Sequence, residues 1–422
     1  MKRRSPYRLV GVKSVVLDPL LAHRASQACW AGIDIAKCSA TVCLYWPDKT
    51  FERPWHVTLP QEIPLLIEKL RLLQRDRPLL LAMESSGTYG DALRQAAADA
   101  GIAVHRVSGL AVKAHAEAFD GVPSQHDGKD AAVIAELACQ GKSVSWAWQS
   151  GTEQEQAMRY WVAELDRQQR IAQIYAGQLE ALLARHWPEA PRILRQSGAT
   201  LLRALSRWTT PGALAADPAA AASLQRTGGA RLKPEKIAAL LSAARSTVGV
   251  RHSDWSSRQL QEIAQAIVQQ RKRIAAAKRQ LRQLAQEDAS IQAQKAAVGL
   301  TTACVLKVCL GDVRNYTSAG AYRKAMGLNL KEHSSGKYKG KIKISRRGKG
   351  LCRKWLYFSA LRLIKSSASV RRWIESKKQR DGGSCGRATM GLMRRLALAA
   401  YHVGAGGVAF DPGRLFAGTS GR

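Results

Sequence analysis

Between residues 28 and 140 short β-forming runs alternate with helical periodicity, and that alternation leaves few ways for the segment to fold. Trp30, Ile33 and Ile35 lead into a turn, Ala40-Thr-Val-Cys-Leu-Tyr-Trp46 is rich in β-formers, Pro47-Asp-Lys is a turn signal, and Phe51 to Val57 reads as a third strand. Ile63, Leu66, Ile67, Leu70 and Leu73 recur at spacings of three and four, as on a helix with one apolar face. Pro78-Leu-Leu-Leu-Ala-Met-Glu84 reads as a buried strand, Tyr89 to Ala100 as a helix stopped by Gly101, Ile102 to Val107 as a strand and Asp127 to Gln140 as a helix. Three strands followed by helix, strand, helix, strand and helices predict a mixed α/β sheet covered by helices.

The middle of the chain changes period. Trp161, Leu165, Gln168, Ala172, Tyr175, Leu179 and Leu182 follow a heptad step, as do Leu260, Ile263, Ile267, Gln270, Ile274, Ala277, Leu281 and Leu284. Arg, Lys and Gln fill the other positions, so the two segments are expected to pair as an antiparallel coiled-coil hairpin, within one chain or between two. An ordinary helical bundle is the plainer alternative. The Ala-rich stretch near 190–250 between them reads as a small helical insert. The expected organisation is a flexible basic arm over 1–27, an α/β domain over 28–148, coiled-coil helices with their insert over 149–290, and a mostly helical domain over 291–422.

The chain's 422 residues carry 66 Lys and Arg against 32 Asp and Glu, a formal net charge of +34. Like charges repel in a compact state, so such an excess points to a polyanionic partner, nucleic acid before an acidic membrane surface. No run of about 18 apolar residues is present, so no membrane span is expected. Lys13 and Asp18 interrupt the first apolar run, which argues against a signal peptide. None of the eight cysteines forms a Cys-x-x-Cys pair, which fits reduced thiols in the bacterial cytoplasm or on the nucleoid. From Lys331 to Lys354 the cations include Lys337, Lys339, Lys341, Lys343, Arg346, Arg347 and Lys349, and only Glu332 opposes them. The four alternating lysines would share one face of a strand and hold a nucleic-acid backbone. Ala297-Val-Gly-Leu-Thr-Thr-Ala303 has the form of a helix–glycine–helix turn, which offers backbone N–H groups to a phosphate.

Acids are scarce, so those inside apolar strands need a reason. Asp34 lies near the end of the first strand and Glu84 ends a later one. A buried carboxylate is costly unless it is paired or binds a cation. Asp127 and Asp130, three apart at the start of a helix, face the same way; capping accounts for one of them well and for both less well. Four hard oxygen donors suit Mg²⁺ or Mn²⁺, and a pair of such ions performs phosphodiester cleavage.

The order Gly32-Ile-Asp34-Ile-Ala-Lys37, Glu84-Ser-Ser-Gly-Thr-Tyr89 and Asp127-Gly-Lys-Asp130 resembles the DEDD transposases of insertion-sequence family 110. Ala325-Met-Gly-Leu328, His333-Ser-Ser-Gly336, Gly348, Met390-Gly-Leu-Met-Arg-Arg-Leu-Ala397 and Phe410-Asp-Pro412 resemble that family's C-terminal domain. The resemblance implies a RuvC-like, ribonuclease-H-type fold for the first domain, with Mg²⁺ held by Asp34, Glu84, Asp127 and Asp130. It implies a serine nucleophile at Ser335, with Ser334 beside it, that joins DNA covalently. It further implies a bridge-type guide RNA that pairs with donor and target DNA, and a dimer or tetramer that brings the acids of one subunit near the serine of another. The rival expectations are a metal-dependent nuclease or junction resolvase in which the acids alone activate water, a site-specific DNA invertase, and a non-catalytic packaging protein.

Overall fold

The computed structural model describes residues 6–416 apart from 25, 86, 147, 149, 150, 197, 333, 336, 337 and 341, and apart from the side chains of 338 and 339. It divides into two compact units, 1–150 and 151–422.

The first unit is a seven-stranded sheet. Its elements are β1 (Val10–Gly11), α1 (Asp18–His23), β2 (Cys29–Ile35), β3 (Ser39–Tyr45), β4 (Trp55–Thr58), α2 (Ile63–Gln74), β5 (Leu79–Glu84), α3 (Asp91–Asp99), β6 (Ala103–Val107), α4 (Gly109–Asp120), α5 (Asp127–Cys139) and β7 (Val144–Ser145). The strand order is β1-β4-β3-β2-β5-β6-β7. β2, β5 and β6 run parallel, and β3 is antiparallel to β2 and β4. The expected mixed α/β sheet is therefore present. Side chains alternate across a sheet. Ala31, Ile33, Leu79, Leu81 and Met83 join the core that also holds Leu66, Leu70 and Leu73 of α2 and Leu93 of α3. Ala82, with Trp30 and Leu80 beside it, joins the core made with Val112 of α4 and Val133, Ile134 and Leu137 of α5.

Over its described part the first stretch of chain departs from the expected flexible arm. Val10–Gly11 pairs parallel with Trp55–His56, and Val12 and Leu17 are buried in the sheet core. Lys13 and Asp18 interrupt the apolar run, but enough apolar area remains for an edge strand and a helix to pack.

The second unit is nearly all helix. α6 (Glu153–His186) and α12 (Asp254–Leu284) lie antiparallel: Gln154 Nε2 donates to Leu284 O at 2.9 Å, and Val250 N donates to Arg185 O at 2.9 Å. Each helix opens with a capping box, on Thr152 and on Ser253. Of the heptad residues, Leu165, Gln168, Leu179, Leu260, Ile263, Ile267, Gln270, Ala277 and Leu281 are buried. They do not form an isolated seam. At one end Leu179, Leu183, Leu260 and Ile267 share a core with the short helices α7 (Ala190–Ile193), α8 (Ala199–Arg207), α9 (Pro211–Ala216), α10 (Ala220–Gly228) and α11 (Pro234–Arg245). At the other, Met158, Val162, Leu165, Ala277 and Leu281 share a core with the C-terminal helices. The expected boundary at 290/291 is therefore not a break in packing. Those helices are α13 (Ala289–Val298), α14 (Leu300–Leu310), α15 (Ala319–Ala325), α16 (Gly350–Ser366), α17 (Ala368–Arg380) and α18 (Cys385–Gly406). Gly299, with φ +84°, joins α13 to α14 as a helix–glycine–helix turn. Between α15 and α16, β8 (Leu330–Lys331) pairs with β11 (Lys343–Ile344), and β9 (Ser334–Ser335) pairs with β10 (Tyr338–Lys339). Among the described residues no helix is long and apolar enough to cross a membrane.

Candidate active site

Asp34 and Glu84 stand side by side. β2 and β5 run parallel with Ile33 opposite Met83, and each acid is the next residue along its strand. Alternation puts both side chains on the sheet face that carries α4 and α5. Gly32, two residues before Asp34, is what lets α5 come down on that face. A Cβ there would overlap the backbone oxygen of Ala131 and the backbone nitrogen of Ala135, and would lie 2.8 Å from Ala135 Cβ. The first turn of α5 carries Asp127 and Asp130. Neither caps the helix: His126 is the N-cap, and its Nδ1 accepts from Lys129 N at 3.2 Å. Both carboxylates are left for other work, in the favourable field of the helix N-terminus. The carboxylate of Glu84 rests against Gly109, the first residue of α4, where a Cβ would overlap Glu84 Oε1.

The acids feel one another. Burial first, then the charges of Asp127, Asp130 and Glu84, push the carboxyl of Asp34 up to about 6. Burial and Asp130 raise Glu84. Burial also raises Asp130, where His126 and Lys129 oppose the effect of Asp127. Among the described residues no group of three or more His, Cys, Asp or Glu side chains stands close enough together to hold a metal ion as it is. The four carboxylates are mutually repelling neighbours with hard oxygen donors, and a divalent cation drawn among them would relieve that repulsion. On donor chemistry they fit such an ion.

Ser335 belongs to the second unit. It is exposed on β9, opposite Tyr338, with Ser334 opposite Lys339. Of the expected backbone-holding cations, Lys343, Arg346, Arg347 and Lys349 are exposed. Lys337, Lys341 and the side chain of Lys339 lie outside the described residues. Lys339 and Lys343 do not sit on one continuous strand. β10 and β11 are two-residue ladders with different partners, interrupted at Gly340, a residue of low strand propensity.

Two family models match the chain. One, for the DEDD transposase of IS110 and described as "Transposase", covers residues 31–188 and takes in all four acids. The other, "Transposase IS116/IS110/IS902 family", covers residues 293–375 and takes in Ser335; together they span more than half of the chain. The chain belongs to the IS110 family of transposases. No curated protein matches this transposase. A solved structure titled "T. thermophilus RuvC in complex with Holliday junction substrate" is similar at 19% identity over 28% of this chain and 99% of that one, with a TM-score of 0.23. At that score the likeness carries no weight, and the transposase fold rests on strand order and register alone.

Several residues of this IS110 transposase escaped the reading of its sequence. Gly32 and Gly109 matter through close approach, which only their contacts reveal. Lys129, between Asp127 and Asp130 in sequence, is fully buried and donates to Asp120 Oδ1 at 2.6 Å. In the second unit a groove of about 730 Å³ runs from the base of the β8–β11 ladder across α17 and α18. Among the described residues its cations are Lys331, Lys343, Arg346, Lys377, Arg387 and Arg394, and its one acid, Asp381, is paired with Lys377 at 2.7 Å. Arg387 and Arg394 are seven apart and share a helix face, a periodic signal that was present in the sequence.

Proposed function

We propose that this transposase cuts and rejoins the DNA of a mobile element with Mg²⁺ or Mn²⁺ held by Asp34, Glu84, Asp127 and Asp130, and with Ser335 as nucleophile. The observation that carries the reading is the juxtaposition of Asp34 and Glu84 on the sheet face where α5 presents Asp127 and Asp130. The strand order, three antiparallel strands continued by two parallel ones, supports a RuvC-like, ribonuclease-H-type domain. When bound, the metal would supply Lewis-acid stabilisation of charge on the phosphate oxygens. The hydroxyl of Ser335 loses its proton as its Oγ bonds to phosphorus. The bond from phosphorus to the departing DNA oxygen breaks, and that oxygen leaves with a proton. The phosphoserine formed conserves the bond for rejoining. The basic groove of the second unit would hold nucleic-acid backbone by phosphate contacts.

Guidance by a structured RNA fits a net charge of +34, more than one short DNA site requires. Assembly as a dimer or tetramer would bring Ser335 of one copy to the acids of another. Tyr160 and Ile174, exposed and two heptads apart on α6, offer a strip for such a contact. The test is covalent trapping of labelled element-end DNA with Mg²⁺ and RNA transcribed from the flanking sequence, read on a denaturing gel. A protein–DNA adduct that disappears with Ser335→Ala and with Asp34→Ala is the expected result. Cleavage without an adduct, surviving Ser335→Ala, would leave a hydrolytic nuclease.

A further inference from the structure

The segment before residue 31, where the family match begins, reaches the helix that carries two of the four acids. Tyr7 is the point of contact. Its hydroxyl donates to Asp120 Oδ2 at 2.8 Å, and Asp120 Oδ1 accepts from buried Lys129 Nζ at 2.6 Å and from Val122 N at 3.0 Å. Lys129 also donates to Val122 O. The ring of Tyr7 meets the ring of His126, the cap of α5, edge-on at 4.8 Å and stacks on Phe51 at 5.4 Å; Phe51 in turn meets Phe119 at 5.7 Å. The backbone of Tyr7 closes the last side: a Cβ on Gly128 would lie 2.7 Å from Tyr7 O. The segment is itself anchored, by the β1–β4 pairing and by Arg53 Nε donating to Arg8 O at 2.7 Å.

Three contacts of this network fall on residues 126–129, at the ring of His126, the backbone of Gly128 and, by way of Asp120, the ammonium of Lys129, and Asp127 and Asp130 extend from that same turn. The acids of α5 repel Asp34 and one another, so without a cation the turn is driven to open. A cap, a ring and a half-buried ion pair resist that force. We propose that Tyr7 is a positioning residue of the metal site: it holds the first turn of α5 closed, so that Asp127 and Asp130 face Asp34 before the cation arrives. The inference rests on the metal-site reading above. Residues that orient ligands typically govern metal affinity by about 10- to 100-fold when removed.

The experiment uses the full chain, wild type and with Tyr7→Phe, Tyr7→Ala, Asp34→Ala and, as a control on the opposite sheet face, Ile63→Val. It measures Mn²⁺ affinity by calorimetry, backbone amide exchange in metal-free protein, and thermal unfolding. Tyr7→Phe keeps the ring stack and loses the bond to Asp120. We expect it to weaken Mn²⁺ binding several-fold and Tyr7→Ala about tenfold or more. In both, amides 128–131 should exchange faster without metal, while Ile63→Val lowers the melting temperature and leaves affinity and exchange unchanged. Tyr7 variants that unfold at lower temperature yet bind Mn²⁺ and exchange like wild type would overturn the positioning role while leaving the metal site standing. Mn²⁺ binding that Asp34→Ala does not disturb would overturn the metal-site reading and this role with it.

Discussion

The backbone oxygen of Ala131 occupies the place where a side chain on Gly32 would begin. The sheet and α5 are thus in direct backbone contact beside Asp34, and the acids meet because of that contact. Gly32→Ala should therefore separate the two elements. Overpacking a tight interface costs about 1–3 kcal/mol, and here the obstacle is backbone, so about 3 kcal/mol is expected. Urea unfolding should show that loss, and Mn²⁺ titration should show a larger loss of affinity than the lowered stability explains.

Asp34 makes the metal-free protein sensitive to pH. Burial and three neighbouring acids raise its folded carboxyl from 3.8 to about 6, so the folded chain holds this proton more tightly than the unfolded one. Stability from this group is greatest at low pH and declines as pH rises from about 4 to about 6. Asp34→Asn removes the decline. The variant should be about 1–2 kcal/mol more stable than wild type at pH 7.5, after allowance for partial solvent screening, and no more stable below pH 4. If Mn²⁺ binds at Asp34 as proposed, it displaces this proton, so wild-type affinity should climb between pH 5 and pH 7 and level off above.

The helical hairpin carries a sensor of opposite sign. His252 stacks on His186 at 4.4 Å, and both of its ring nitrogens are buried without a hydrogen-bond partner among the described residues. Burial, and then His186, lower its pKa from 6.5 to about 4. The unfolded chain binds the extra proton in that window, so stability is complete above pH 6.5 and falls as pH drops toward 4. His252→Phe should unfold at a higher temperature than wild type at pH 5 and show no such gain at pH 8.

Arg387 and Lys343 line the basic groove, and both are exposed. If they touch phosphate, Arg387→Ala and Lys343→Ala should each weaken DNA or RNA binding with little regard to sequence. Each should also reduce the slope of log affinity against log salt by about 1. Anisotropy titrations at several salt concentrations measure both. An unchanged slope would remove the residue from the interface.

What could be read from the sequence was what repeats locally. Short apolar runs around Asp34 and up to Glu84 marked the strands, and an acid pair three residues apart marked the start of α5. The reading failed where a partner is remote or the period is mixed. Tyr7 and Asp120 are 113 positions apart, and nothing near Tyr7 announces its partner. α4 was missed because Leu110, Ala111, Val112, Ala114 and Ala116 mix apolar spacings that suit neither a strand nor an amphipathic helix. The heptads of α6 and α12 were legible, but only packing shows that short helices and the C-terminal core cover them. The groove draws its cations from β8, β11 and the loop after it, α17 and α18, a set that no short window contains.

α4 links two parts of the first unit. Its first residue, Gly109, touches Glu84, and its last, Asp120, takes the bonds from Tyr7 and Lys129. The helix therefore acts as a spacer of fixed length. Removing one residue would shorten it by about 1.5 Å and turn one end by about 100° relative to the other. Substitutions on its exposed side leave that measure intact, whereas a single insertion or deletion would pull the clamp and the Glu84 carboxylate out of phase. In this domain the length of α4 is a stronger constraint than its composition.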